Sequence, residues 1–337
     1  MEQEVILQIK NLRTYFYSNK QEVRAVDDIS YDVHKKECVA IIGESGSGKT
    51  VSALSILRLI SYPPGLVMGG QVLYKGQDIL KMTDEELRQI RGAKISMIFQ
   101  EPSSAMNPVT TVGKQISENL ILHTGATKEE AMQKAIELLA EVGIPNPERR
   151  VKQYPFEFSG GMLQRAMIAM CISCNPEILI ADEPTTALDV TVQAQVLEKL
   201  NELRDTRDMA LILITHNLGL VARYADTVKI MYGGHIVEDG DVNSIFLNPN
   251  HPYTLGLLQA VPRLDLPKSR GLYTIKGEPP DMSRMKRNCC PFYPRCKYAD
   301  ETCEHKRPEL EEVEPGHYSA CFHKDKLAEE REEVLSE

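Results

Sequence analysis

Eight consecutive residues, Gly43-Glu44-Ser45-Gly46-Ser47-Gly48-Lys49-Thr50, carry the most legible chemistry in this chain. They match GxxxxGK[ST] without a substitution, between the apolar run Val39 to Ile42 and the helix-like run Val51 to Ile60. The glycines let the backbone wrap a phosphate chain, so that successive N–H groups and a helix N-terminus face the anion. Lys49 then reaches the outer phosphates, and the Thr50 hydroxyl holds Mg²⁺. Asp182 and Glu183 close the apolar run Ile178 to Ala181, and Thr215-His216 closes another, Ala210 to Ile214. Asp182 suits Mg²⁺, directly or through water, and Glu183 suits a group that orients and deprotonates an attacking water. His216 suits a hydrogen bond to a terminal phosphate.

The elements that position these groups follow from the pattern of apolar residues. Val5 to Ile9, Val23 to Val26 and Ile29 to Val33 predict a small antiparallel sheet ahead of the phosphate loop. Tyr15, Phe16 and Tyr17 fall in the loop between its first two strands, where an aromatic ring can stack on adenine. Ile95 to Phe99 reads as a buried strand ending at Gln100. From Pro102 to Pro147 the period becomes helical, over Val112 to Leu122 and Lys128 to Val142, which predicts an inserted helical subdomain. Ser159-Gly160-Gly161 opens a further helix. Strands alternating with helices imply a parallel sheet covered on both faces, and ligands bind such sheets beyond the carboxyl ends of the strands. Gln100, Asp182, Glu183 and His216 all fall at that edge.

The bulk numbers narrow the class. The 337 residues are 42% hydrophobic, and Lys plus Arg number 39 against 48 Asp plus Glu, a net charge of −9. A nucleic-acid partner is not expected from that balance. The acidic start Met1-Glu2-Gln3-Glu4 is wrong for an export or transit peptide, and no apolar run is long enough to cross a bilayer. The expectation is a cytoplasmic chain whose membrane role, if any, comes through a partner.

Taken together, the motifs resemble the ATP-binding subunits of ABC transporters over roughly residues 5 to 250. The family's order is present: the phosphate loop, Gln100 as the Q-loop glutamine, and Phe158-Ser159-Gly160-Gly161-Met162 in place of LSGGQ. Ile178 to Asp182 with Glu183 follow, then Ala187-Leu188-Asp189 as the D-loop and His216 as the switch histidine. The resemblance implies an α/β P-loop NTPase with a RecA-like core and mostly parallel sheet, an N-terminal antiparallel β subdomain and a helical subdomain at about 101–165. It implies ATP and Mg²⁺ as ligands, with Thr50, Gln100 and Asp182 on the metal and Glu183, His216 and Gln100 in catalysis. By register, Phe16 stacks on adenine, with Tyr15 and Tyr17 as alternatives. It also implies a head-to-tail dimer, in which Ser159 and Gly161 of one subunit close on the γ-phosphate held by the other, with Gly160 and Asp189 as further nucleotide-site residues.

Asn248-Pro249-Asn250-His251-Pro252-Tyr253-Thr254 resembles the HPYT element of the oligopeptide and dipeptide permease branch. Within that branch His251 reads as structural. The implied division is a nucleotide-binding domain at 1–250 and a cysteine-rich extension at 251–337. The implied partners are a second, related ATPase subunit, two transmembrane permease subunits and, indirectly, an extracytoplasmic peptide-binding protein. The implied location is the cytoplasmic face of the membrane, and the implied cargo is peptide. Relatives in the branch import nickel chelates or glutathione, and a non-transport ABC ATPase is the rival from another class.

Of the eight cysteines, Cys290, Cys296, Cys303 and Cys321 stand with 5, 6 and 17 residues between them and resemble the branch's C-terminal extension. Four thiolates meeting in a reducing compartment need a metal to offset their charge, and Zn²⁺ or an iron–sulfur cluster accepts four. None of these gaps is a C-x₂₋₄-C knuckle, which favours [4Fe–4S] over Zn²⁺. Cys289 occupies the place of the family's glycine, so either Cys289 or Cys290 can serve, and register selects Cys290. Cys171 and Cys174 form a C-x-x-C on a helix, where core packing is expected. The tail from Lys324 to Glu333 reads as a solvated helix or disorder.

Overall fold

The computed structural model describes residues 4–18, 21–185, 189–261, 273–328 and 331. Along the chain its strands are β1 (Val5–Ser18), β2 (Gln21–His34), β3 (Cys38–Ile42), β4 (Gly65–Tyr74), β5 (Gln77–Asp78) and β6 (Ile95–Ile98). They continue with β7 (Ile178–Asp182), β8 (Ala210–Ile214), β9 (Thr227–Tyr232), β10 (His235–Asp241), β11 (Glu311–Glu314) and β12 (His317–Ser319). The chain forms two compact units. One comprises Met1–Ile6, Val33–Cys38 and Asp78–Ile214, the other Leu7–Asp32, Val39–Gln77 and Thr215–Glu337. Among the described residues no helix is long and apolar enough to cross a membrane.

In the first unit β6, β7 and β8 run parallel, with Ile98 opposite Ala181 and Asp182 opposite Ile214. Every residue of the three is buried, which explains the apolar runs Ile178 to Ala181 and Ala210 to Ile214, while β6 also buries one polar residue, Ser96. The helical segment follows as expected. The helix Val112–Thr124 buries Val112, Ile116 and Leu120, and the helix Lys128–Glu141 buries Ala131, Ala135, Leu138 and Leu139 behind a Thr127–Glu130 capping box. Arg207 fastens this segment. Its guanidinium meets both Glu141 carboxylate oxygens at 2.8 and 2.6 Å, and donates to the Ile172 carbonyl at 3.1 Å. Cys171 and Cys174 donate to the carbonyls of Met97 and Asn119, so both thiols are spent on packing.

The second unit holds two sheets. One is antiparallel, in the order β2-β1-β4-β5. In the other β3 lies parallel to β9, β9 turns back through Gly233 and Gly234 into β10, and β12 and then β11 add to the β10 edge. The N-terminal sheet departs from the sequence reading in one respect. The residues between the short runs Val5 to Ile9, Val23 to Val26 and Ile29 to Val33 largely belong to two long strands, in which Asn11 and Asp28 adopt left-handed backbone (φ 49° and 69°) and the β1 register shifts between Lys10 and Arg13. The Asn11 amide donates to Asp28, and its backbone N–H donates to Ser30. Tyr15, Phe16 and Tyr17 therefore lie in β1 rather than in a loop.

The element read as HPYT begins the helix Pro252–Gln259, with His251 at its N-cap. Fully buried Glu238 of β10 accepts from the backbone N–H groups of Asn250 and His251 and from His317 Nε2 of β12 at 2.8 Å. One carboxylate thus ties β10, the HPYT turn and the C-terminal hairpin together. His251 Nδ1 accepts from the Tyr253 N–H at 3.1 Å, so its ring is neutral, and burial pushes its pKa down to about 3. Burial likewise takes His235 down to about 4. An unfolded histidine titrates near ~6.5, so between that value and about 4 the unfolded chain binds more protons. Stability contributed by the two rings is present above that window and is lost as pH falls through it. Melting temperatures recorded from pH 7.5 to 4.5 should fall with acid, and less steeply in His251→Asn, which keeps a capping acceptor but cannot titrate.

Candidate functional site

The phosphate loop leaves β3 at Gly43 and enters the helix Lys49–Ile56 through Gly48, whose φ is 104°. Two of its glycines are enforced by space. A Cβ on Gly43 would lie 2.2 Å from the Met231 carbonyl oxygen, and one on Gly48 would lie 2.2 Å from that of Ala25. The backbone therefore sits where only glycine fits, as a cradle for phosphate requires. Lys49 is 6% exposed, and its ammonium donates to the carbonyls of Gly43 at 2.7 Å and Glu44 at 2.9 Å. Thr50 is exposed at the first turn of the helix. His216 of the same unit is exposed just before the helix Leu218–Tyr224.

The aromatic candidates separate. Tyr15 is buried, its hydroxyl donates to Asp27 at 2.6 Å and the Arg24 guanidinium lies 4.9 Å over its ring. Burial, followed by Asp27, pushes its pKa up to about 12. It is committed to the interior. The half-buried Phe16 ring lies against Gly65, where an added Cβ would come within 2.8 Å of it. Tyr17 is exposed and its hydroxyl donates to Glu22.

In the first unit the carboxyl ends of β6 and β7 bring two sequence candidates together. Gln100 Nε2 donates to Glu183 Oε2 at 3.0 Å. Asp182, the last residue of β7, is buried, whereas Glu183 is partly exposed. Glu183 also has φ 44°, a left-handed conformation that a glutamate adopts only at a cost, fixed by its N–H donating to the Ile214 carbonyl. Ser159 N-caps the helix Gly160–Cys171 and accepts from the Met162 N–H at 3.4 Å, while Phe158 beneath it is buried. Ser159 and Gly160 are exposed, so this helix start faces solvent on an apolar anchor. Asp189 caps the helix Val190–Thr206 by accepting from Val192 N–H at 3.0 Å. Ala187 and Leu188 of the D-loop motif lie outside the described residues, as do part of the charged tail and Met1 to Gln3.

The cysteine group is distinct. Cys290, Cys296 and Cys303 pack into one buried cluster with Phe292 and Tyr253, and Cys290 N–H donates to the Cys303 carbonyl at 2.8 Å. The Cys290 thiol is pushed up to about 12, by burial first and then by the nearby sulfurs of Cys303, Cys321 and Cys296. Cys321 behaves in the same way beside Cys296 and Cys303. Cys289 feels Lys286 and Glu304 instead, and its thiol donates to the Lys286 carbonyl. Backbone N–H groups of Phe292, of Tyr298 and Ala299, and of His323 point at the sulfurs of Cys290, Cys296 and Cys321, donors that stabilise thiolate. Among the described residues the group of possible metal ligands drawn within 4.8 Å is Asp300, Cys303 and His323.

Two residues of this region escaped the sequence reading. The Tyr253 hydroxyl accepts from the Glu44 N–H at 2.8 Å, and Arg295, between Pro294 and Cys296, pairs with the Glu44 carboxylate at 2.6 Å. The available signal was an arginine inside a cysteine loop, which has no chemistry until its partner is known.

Comparison with known proteins agrees with the geometry. Residues 26–186 match the ABC transporter family model, and residues 237–303 match that of the oligopeptide/dipeptide transporter C-terminal region. The oligopeptide transport ATP-binding protein OppD of Bacillus subtilis is 46% identical over 93% of this chain and 87% of its own. OppD of Salmonella typhimurium is 45% identical over 94% and 93%. The ATP-binding cassette MJ0796, solved as a dimer in a post-hydrolysis state bound to ADP and Pi, superimposes with a TM-score of 0.63 at 25% identity. That likeness covers 70% of this chain and 98% of the cassette. The chain belongs to the ATP-binding proteins of ABC transporters. Within that family it carries the C-terminal region of the oligopeptide and dipeptide transporters.

The left-handed backbone at Glu183 has a measurable consequence. Glycine tolerates that conformation and alanine does not, so Glu183→Gly should be more stable than Glu183→Ala by about 1 kcal/mol in denaturant unfolding. At an ordinary helical or strand position the order would be reversed.

Proposed function

We propose that this chain is the ATP-hydrolysing subunit of a peptide importer, working as one half of a head-to-tail pair of ATPases. The family likeness along the length of the chain, with the peptide-transporter region at residues 237–303, carries the reading. Residues 1–250 act as the nucleotide-binding domain, with the helical subdomain at about 101–165, and residues 251–337 as the extension. The N–H groups of the 43–50 loop and Lys49 hold the phosphates, and Phe16 stacks on adenine. Thr50, Gln100 and Asp182 would hold Mg²⁺, which would offset the charge of the outer phosphates. Glu183 takes the proton of a water as its oxygen attacks the γ-phosphorus. The bond to the bridging oxygen breaks, and ADP leaves with that electron pair. His216 donates to the γ-phosphate, and Ser159, Gly160, Gly161 and Asp189 close on the nucleotide of the second subunit.

Gln100 gives this scheme a means of coupling. Its amide holds Glu183 and stands next to the first residue of the helical subdomain, so a push on that subdomain is felt at the base. The pushing partners are two transmembrane permease subunits fed by an extracytoplasmic peptide-binding protein, which places the chain at the cytoplasmic face of the membrane. Glu183→Gln should lower ATP turnover by at least about a hundredfold while ATP binding persists. Equal turnover by variant and wild type would exclude Glu183 as the base.

The cysteines hold a [4Fe–4S] cluster through Cys290, Cys296, Cys303 and Cys321, a group that would supply a rigid cross-link. Support comes from the mutual proximity of these four thiols and the backbone donors on their sulfurs. Protein purified without oxygen should be brown and contain iron with acid-labile sulfide. Cys290→Ser should lose that absorbance and Cys289→Ser should keep it, whereas colourless protein with stoichiometric zinc would replace the cluster by Zn²⁺.

A further inference from the structure

Glu44, the second residue of the phosphate loop, is held at three atoms. Its N–H donates to the Tyr253 hydroxyl at 2.8 Å, its carbonyl accepts from Lys49 at 2.9 Å, and its carboxylate receives the Arg295 guanidinium. The last contact is a two-pronged fork, Nη1 to Oε2 at 2.6 Å and Nη2 to Oε1 at 3.1 Å. Arg295 is itself pinned. Its Nε donates to the Lys276 carbonyl at 3.0 Å, Nη2 to that of Ile275 at 3.5 Å, and Nη1 to the Tyr232 hydroxyl at 3.2 Å. The arginine side chain is 6% exposed and the glutamate 24%, so water screens the pair poorly.

The placement matters because of charge. A carboxylate beside a polyphosphate cradle repels the ligand that the cradle exists to hold, and at low screening that repulsion is large. Arg295 cancels the charge and fixes the direction of Glu44, whose carbonyl in turn holds Lys49. We propose that Arg295 is a positioning residue of the nucleotide site, acting through Glu44, so that the cysteine-bearing segment completes the phosphate loop. The inference rests on the reading of residues 43–50 as a nucleotide site. Arg295 directly precedes Cys296, so whatever fixes that cysteine also fixes the fork.

The test is a double-mutant cycle on the full chain, with ATP affinity measured by competition against a fluorescent ATP analogue. Arg295→Gln leaves Glu44 charged and unpaired, and affinity should fall about tenfold (~1.4 kcal/mol). Made in a Glu44→Gln background, where no carboxylate is left to repel the phosphates, the same arginine substitution should cost far less than it does in the wild-type background. The KM for ATP should follow affinity, while turnover at saturating ATP stays near wild type, because the pair touches no reacting atom. Arg295→Lys, which keeps the charge without the fork, should fall between. If Arg295→Gln gives no cooperative melt, Arg295→Lys with and without Glu44→Gln makes the same comparison. Unchanged affinity in the arginine variant, or a loss equally large in the Glu44→Gln background, overturns the proposal and leaves only packing for Arg295. Wild-type protein that binds no ATP would instead remove the nucleotide-site reading itself.

Discussion

A loop that binds polyphosphate must keep its backbone N–H groups available for the ligand, so it cannot be held in shape by hydrogen bonds among those groups. It must be braced from outside, and much of the second unit does this. Met231 and Ala25 crowd Gly43 and Gly48 so closely that no side chain fits at either, and Gly234 N–H donates to the Ser47 carbonyl at 3.0 Å. Gly234 is in turn fixed by its carbonyl, which accepts from Asp27 N–H at 2.9 Å. The β9–β10 turn thus supports the loop, and its two glycines have positive φ because the chain must reverse in little space. Support comes mainly through the loop's carbonyls and side chains, with the Glu44 amide given to the Tyr253 hydroxyl.

The strongest local signals in the sequence were those with a single physical cause. β7 and β8 are buried on both faces and so read as apolar runs, and the helices of the inserted segment announced themselves by three and four spacing of apolar residues. The phosphate loop, Gln100 with Glu183, and Ser159 at a helix start were legible because each motif is contiguous or sits at a strand end. The N-terminal sheet was read in fragments, since Asn11 and Asp28 look like turn residues and act as bulges within continuous strands. A bulge differs from a turn only in what pairs across it, which short-range pattern does not contain.

The contacts that were not legible are all long in sequence. Glu44 and Arg295 are separated by 251 positions, Glu44 and Tyr253 by 209, and Glu238 and His317 by 79. Each joins a residue of ordinary type to another of ordinary type, and neither member is conspicuous alone. The β11–β12 hairpin escaped for a related reason. Its acidic strand Glu311–Glu314 has no apolar alternation, because it is an edge strand whose side chains are largely exposed.

These long-range pairs explain why the C-terminal segment folds with the phosphate loop rather than apart from it. A carboxyl group such as that of Glu238 is tolerated without solvent only when its oxygens are hydrogen-bonded, and the donors come from the HPYT turn and from β12. Removing the hairpin would leave a buried polar group with a partner missing, so β10 requires β12 as much as β12 requires an edge to pair with. The residues after β10 thereby gain a fixed frame. From that frame Tyr253 and Arg295 reach the same glutamate, one at its N–H and the other at its carboxylate. Two contacts on different atoms of one residue constrain its rotation as well as its position, which a single contact does not, and rotation of Glu44 is what would turn its carbonyl away from Lys49.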